Sequence, residues 1–166
     1  MSETYLIALG SNMRVASLGG PRRVLAAALE ALQAEDRVEV VTAAPVVESD
    51  PVGPSLRRYA NGAAVVESAL DPTDMLQVLH AVERQFGRTR AQRRGQRWRA
   101  RALDLDIILW SGGVWVSREL TIPHREMRSR PFVLGPASAI AARWRDPVTG
   151  LSLEQLKARL MSRIRA

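Results

Sequence analysis

Two aspartates, Asp104 and Asp106, stand inside an otherwise apolar run, Leu103 to Trp110 (LDLDIILW). Alternate residues of a strand share a face. On that period Leu103, Leu105, Ile107 and Leu109 form an apolar face, and Asp104, Asp106, Ile108 and Trp110 form the other. The Cα atoms of the two aspartates then lie about 6.5–7 Å apart. Their carboxylates can converge on one cation, or on two metal ions roughly 4 Å apart. The chain has no cysteine, so the pair suits a hard, oxygen-preferring ion such as Mg2+. Two plainer readings stand beside this one: a strand face open to water, or ion pairing of each aspartate with Arg101 or a neighbour. Asp is a poor strand former, and like charges on one face repel unless a cation lies between them.

Just upstream, Arg84 to Arg101 (RQFGRTRAQRRGQRWRAR) also holds Arg88, Arg90, Arg93, Arg94, Arg97 and Arg99. Such a loop can simply track RNA phosphates. It nevertheless leads straight into the aspartate strand. Carboxylate-held Mg2+ with guanidinium groups folding over it is a phosphoryl-transfer constellation, and a loop that closes can exclude water. No Walker A motif is present, since GSNMRVASLGG lacks the Lys-Ser/Thr ending; Gly10-Ser11-Asn12 is at most a weak phosphate nest. The second landmark is LTIPHREMRSRPFVL at 120–134. There His124 follows a proline before a helix, and Arg130 stands at the helix start; each can be structural or a ligand. His80, on an apolar-rich helix, reads as structural.

The 166 residues carry a formal charge of +7, and Lys157 is the only lysine. Arginine suits bidentate recognition of phosphate, although scattered cations such as Arg22, Arg23, Arg143 and Arg145 read as solvated surface. Apolar residues make up 46% of the chain, which argues against disorder. MSETYLIALG lacks the basic start of a signal peptide, and no window approaches the roughly 20 apolar residues of a membrane span. We expect one domain over residues 1–166, acting as a cytoplasmic monomer.

These side chains must be positioned by a small set of elements. Tyr5 to Leu9 reads as a strand. A helix from Pro21 keeps its stripe through Leu25, Ala28, Leu29 and Leu32. Val38 to Val47 and Tyr59 to Glu67 read as strands on either side of a turn-rich loop, Ser49-Asp50-Pro51-Val52-Gly53-Pro54. Asp71 caps the next helix, with Pro72 at its first position and Gly87 after its end. Gly112-Gly113 turns the aspartate strand into a short strand, Val114 to Val116. The order β-α-β-β-α-β predicts a ferredoxin-like α+β sheet with these two helices on one face. Two C-terminal helices follow, near Pro131–Ala142 and Leu153–Arg165.

With these blocks in place, the chain resembles the 6-hydroxymethyl-7,8-dihydropterin pyrophosphokinases of folate biosynthesis. YLIALGSN at 5–12, SDPVGP followed by YANGA at 49–63, RALDLDIILW at 101–110 and LTIPHREMRSRPFVL carry the resemblance. It implies a ferredoxin-like fold and transfer of pyrophosphate from ATP to the pterin hydroxymethyl oxygen, releasing AMP. It further implies two Mg2+ ions held at Asp104 and Asp106, with Arg88 and Arg101 assisting transfer at the ATP phosphates. Trp98, Thr121, His124, Arg130 and the Ile107 backbone match nucleotide contacts. Asn61 matches the amide that reads the pterin edge, Tyr59 and Phe132 match pocket aromatics, and Ser49 and Val52 match its lining. Glu83 matches a helix carboxylate near the site. His80 replaces a glutamine common at a nucleotide-contacting position, Ala91 replaces a basic residue, and Glu119 stands where some members have arginine.

The resemblance leaves no role for nucleic acid or membrane. An RNA-binding module would interleave aromatics with its cations, whereas between Arg88 and Arg101 Trp98 is the only aromatic. A two-metal phosphohydrolase would use the same aspartates without a pterin.

Overall fold

A computed structural model of the chain describes residues 2–12, 18–49, 59–87 and 102–165. Strand β1 (Glu3–Ser11) lies inside the sheet, between β4 (Tyr59–Ser68) and β5 (Asp104–Trp110), and is antiparallel to both. On the far side of β4 run β2 (Glu39–Ala43) and β3 (Val47–Ser49). The sheet order is β2-β4-β1-β5, with β3 also on β4. Helix α1 (Pro21–Gln33) follows β1 and α2 (Pro72–Gln85) follows β4. This is the ferredoxin-like α+β arrangement.

The continuous strand expected over Val38–Val47 is interrupted. Proline has no N–H for a ladder, which confines it to edges and breaks, and Pro45 sits between β2 and β3 on the outer side of β4. The neighbouring Ala44 N–H still donates to the Ala63 carbonyl at 2.8 Å, so both pieces stay on one partner strand.

The pleat sorts side chains into two cores. Tyr5, Ile7 and Leu9 of β1, Ala64 and Val66 of β4, and Leu105 and Ile107 of β5 face α1 and α2. The helices answer with Val24, Leu25, Ala28 and Leu32, and with Met75, Val78, Leu79 and Val82. Each such large aliphatic side chain contributes about 1.5–3 kcal/mol when fully buried. The Asp71 carboxylate caps α2 by accepting the Asp74 N–H at 2.9 Å. On the opposite face, Leu6, Ala63 and Ile108 pack with α3 (Pro131–Ala141) and α4 (Leu153–Arg165) through Val133, Leu134, Ala137, Leu153, Leu156 and Leu160.

Strict alternation fails at one point in β5. Ile7 is paired with Ile107 and Leu6 with Leu109, leaving Ile108 as an extra residue. A bulge of this kind resets which face a strand's side chains take. Leu109 therefore joins the α3–α4 core, away from Leu105 and Ile107, and Trp110 packs against the α1–α2 core. The expected strand at Val114–Val116 is β6 (Trp115–Val116), paired with β7 (Thr121–Ile122) in a separate two-stranded sheet. No helix among the described residues is long and apolar enough to cross a membrane.

Candidate functional site

The bulge lies beyond the aspartates, so Asp104 and Asp106 keep the common face that alternation gives them. That face is the one covered further along by α3 and α4. In register across β1, Asp104 stands opposite Gly10 and Asp106 opposite Ala8. On the other side of β1, Gly10 stands opposite Asn61 and Ala8 opposite Ala63. The order across three strands is thus Asn61, Gly10, Asp104. With strands about 4.8 Å apart, the outer two Cα atoms are roughly 10 Å apart. A Cβ built on Gly10 would lie 3.4 Å from Asn61 Oδ1, so the amide leans over the glycine. Small residues at 8 and 10 leave a floor between an amide and two carboxylates.

The donor set of this floor fits a divalent cation of the Mg2+ type. Both aspartates are partly exposed and supply only carboxylate oxygen. Among the described residues, no group of three or more His, Cys, Asp or Glu could hold an ion. Mg2+ commonly takes one or two carboxylates and fills its octahedron with water and substrate phosphate. The pair matches that habit.

Strand β5 is a sheet edge, and its amides need partners. The buried Glu83 on α2 provides one: its Oε2 accepts the Leu105 N–H at 2.9 Å. The residue between the two aspartates is thereby tied to the helix layer behind it. The other end of β5 is tied to the segment after β7, where the His124 N–H donates to the Ile108 carbonyl at 3.0 Å. The Ile122–Pro123 peptide preceding His124 is cis.

From there a 3-10 turn, Met127–Ser129, leads into α3. Arg130 pairs with Glu126 and stands 5.6 Å from the centroid of the Phe132 ring. Phe132 is 49% exposed, which leaves a ring available for stacking. His124 Nδ1 accepts the Glu126 N–H at 3.2 Å, which places the neutral ring's proton on Nε2. Burial lowers the His124 pKa below 6.5; Asp106 opposes the shift and Arg130 adds to it. Burial thus favours the neutral ring, which has one N–H to donate.

Of the expected site residues, Asp104, Asp106, Tyr59 and Asn61 share one sheet face, and Asp106, His124 and Arg130 lie within one electrostatic neighbourhood. Thr121 pairs with Val116 in the β6–β7 ribbon, and Ser49 ends β3 opposite Tyr59. The Ile107 side chain is buried in the α1–α2 core, so only its backbone remains for a ligand. Arg88, Trp98, Arg101 and Val52 lie outside the described residues. Of the floor residues, Ala8 carries no site expectation from the sequence, and Gly10 enters there only as part of a weak phosphate nest. Their signal is two small residues at alternate positions of an otherwise bulky strand.

A model of the family described as 7,8-dihydro-6-hydroxymethylpterin-pyrophosphokinase matches residues 6–142. The chain is 37% identical over 159 residues to the 2-amino-4-hydroxy-6-hydroxymethyldihydropteridine pyrophosphokinase of Pseudomonas aeruginosa, covering 95% of this chain and 92% of that relative. It is also 37% identical over 140 residues to the protein of the same name from Haemophilus influenzae, covering 84% and 82%. Among solved structures, wild-type Plasmodium falciparum HPPK-DHPS with pteroate superposes with a TM-score of 0.74 at 12% identity. That match covers 99% of this chain and 43% of the Plasmodium chain; it shows likeness of fold, over less than half of the longer protein.

Proposed function

The chain belongs to the 7,8-dihydro-6-hydroxymethylpterin-pyrophosphokinase family, and we propose that it transfers the pyrophosphoryl group of ATP to the hydroxymethyl oxygen of 6-hydroxymethyl-7,8-dihydropterin, releasing AMP. The observation that carries this reading is the cross-strand order Asn61, Gly10, Asp104. It puts an amide able to read a heterocycle's hydrogen-bonding edge on the same floor as the carboxylate pair.

On the pterin side, the Asn61 amide offers donor and acceptor to the ring edge. Phe132 stacks on the ring face, and Tyr59, Ser49 and Val52 line the pocket. On the nucleotide side, Arg130 and Thr121 contact ATP, and His124 donates from Nε2. Arg88 and Arg101 attend the same phosphates, and Trp98 is a further nucleotide contact, with the Ile107 backbone near the adenine. Asp104 and Asp106 would hold two Mg2+ ions, which when bound neutralise polyphosphate charge. The chain's part is alignment and charge stabilisation. The pterin hydroxyl attacks the β-phosphorus in line and loses its proton to solvent, the bond from that phosphorus to the α-phosphate oxygen breaks, and AMP leaves; no covalent intermediate on the chain is required.

The test is to mix the protein with ATP, Mg2+ and 6-hydroxymethyl-7,8-dihydropterin and identify the nucleotide product. AMP formed only with pterin supports the proposal. ADP would make the chain a simple kinase, and pterin-independent hydrolysis would make it a phosphohydrolase.

A further inference from the structure

We infer that Asp146 is a positioning residue for the nucleotide side of this site: it acts through Arg128 on the turn that presents Arg130. The inference rests on the reading of Arg130 as a nucleotide contact. Asp146 lies beyond residues 6–142, where the family model matches.

The Asp146 side chain is fully buried in the connection between α3 and α4. Its carboxylate accepts from Arg128 Nε at 2.6 Å and Arg128 Nη2 at 3.0 Å. It also accepts the Val148 N–H at 2.9 Å and the Thr149 hydroxyl at 2.8 Å. The backbone of Asp146 is held as well. Its N–H donates to the Leu151 carbonyl, and its carbonyl accepts the Gly150 N–H, each at 2.8 Å. The result is a rigid anchor that grips one guanidinium in a fork.

Arg128 sits inside the 3-10 turn Met127–Ser129. The Met127 N–H donates to the His124 carbonyl at 3.2 Å, and the Arg130 carbonyl accepts the Leu134 N–H at 3.0 Å. Gripping Arg128 therefore fixes one continuous stretch from His124 to the first turn of α3. It also separates two cations that stand two residues apart. Arg128 is committed inward to Asp146, and Arg130 is left beside Glu126 and Phe132. If stability alone were required, a well-packed apolar pair would serve as well as a buried ion pair. The fork adds orientation.

A double-mutant cycle tests this. Asp146→Asn keeps the shape and loses the charge; Arg128→Lys keeps the charge and loses the fork, and gives the measurement should the first variant fold poorly. Each should raise KM for ATP by about tenfold, a coupling of ordinary size for residues in one network. In an Arg130→Ala background, Asp146→Asn should change KM for ATP by less than about twofold, while lowering the melting temperature by as much as it does alone. A lowered melting temperature with KM for ATP unchanged would overturn the inference. So would an equal multiplication of KM in both backgrounds, since a merely structural role predicts that. If Arg130→Ala alone leaves KM for ATP unchanged, the nucleotide reading of Arg130 fails, and the inference falls with it.

Discussion

Asn61 and Asp104 are registered against the same residue, Gly10, from opposite sides of β1. Residues distant in sequence thus bracket one glycine, and the space above that glycine lies between an amide and a carboxylate pair.

Gly10→Ala should leave the fold standing and impair the reaction. The new methyl would meet Asn61 Oδ1 at 3.4 Å, an ordinary contact distance, so the melting temperature should move by no more than about 1 kcal/mol would imply. The same methyl fills the floor. KM for the pterin should rise several-fold, on the order of 1–2 kcal/mol. Steady-state kinetics beside a thermal melt would separate the two effects, and an unchanged KM would remove Gly10 from the site.

Asp104→Ala or Asp106→Ala should reduce turnover by at least about 10²–10³-fold, the scale of losing one preorganised electrostatic element. Both carboxylates are partly exposed, so the melting curve should stay close to that of the parent. Rates near the parent's at ordinary Mg2+ in either variant would sink the metal-holding role.

Asp146 gives a pH-dependent stability. Burial raises its pKa, but the Arg128 fork, the Val148 N–H and the Thr149 hydroxyl together outweigh this and hold it below 3.8. A carboxyl with a depressed folded pKa stabilises the protein above its unfolded pKa, and that contribution is lost as pH falls through the folded value. Asp146→Asn should therefore cost about 3 kcal/mol at pH 7, the low end for breaking a buried pair, because the Arg128 side chain is 30% exposed. The gap between parent and variant should narrow below pH 3.8. Melts of both proteins across that window would check it; a gap constant with pH would show that charge is not the cause.

Removing the Arg130 cation should raise the pKa of His124. Burial is the main cause of its depression and remains, while the Arg130 contribution disappears. An NMR titration of the His124 ring in Arg130→Ala should give a midpoint nearer 6.5 than in the parent. A midpoint unmoved would mean that Arg130 does not face the ring.

Gly112→Ala should destabilise the β5–β6 connection. A Cβ there would come within 2.3 Å of two ring carbons of Trp110, which itself makes an edge-to-face pair with Trp115, centroids 5.7 Å apart. Overpacking of this kind costs about 1–3 kcal/mol. Chemical denaturation would show it, and a stability equal to the parent's would mean that Trp110 swings aside freely.

Much of the fold was legible because its causes are local. Pro21 and Pro72 mark helix starts, the Asp71 cap closes on Asp74 as its spacing predicts, and the stripe through Leu25, Ala28 and Leu32 is the one that α1 buries. The common face of Asp104 and Asp106 follows from the two-residue period of any strand. Other features were not legible. Nothing in LDLDIILW announces that Ile108 is an extra residue, because a bulge is defined by the partner strand. The break at Pro45 is hidden in the sequence because β-branched residues on both sides keep strand character.

The residues themselves thus determined the element types, the order of the elements and the shared face of the carboxylate pair. Each of these depends on neighbours within a turn of helix or a few residues of strand. Only the tertiary structure set Asn61 against Asp104 across Gly10, turned Leu109 to the second core and carried Asp146 to Arg128. Those contacts join residues far apart in the chain. Their register is decided by the simultaneous packing of both sheet faces, since a slip of one residue would send every side chain to the opposite face and into the wrong core.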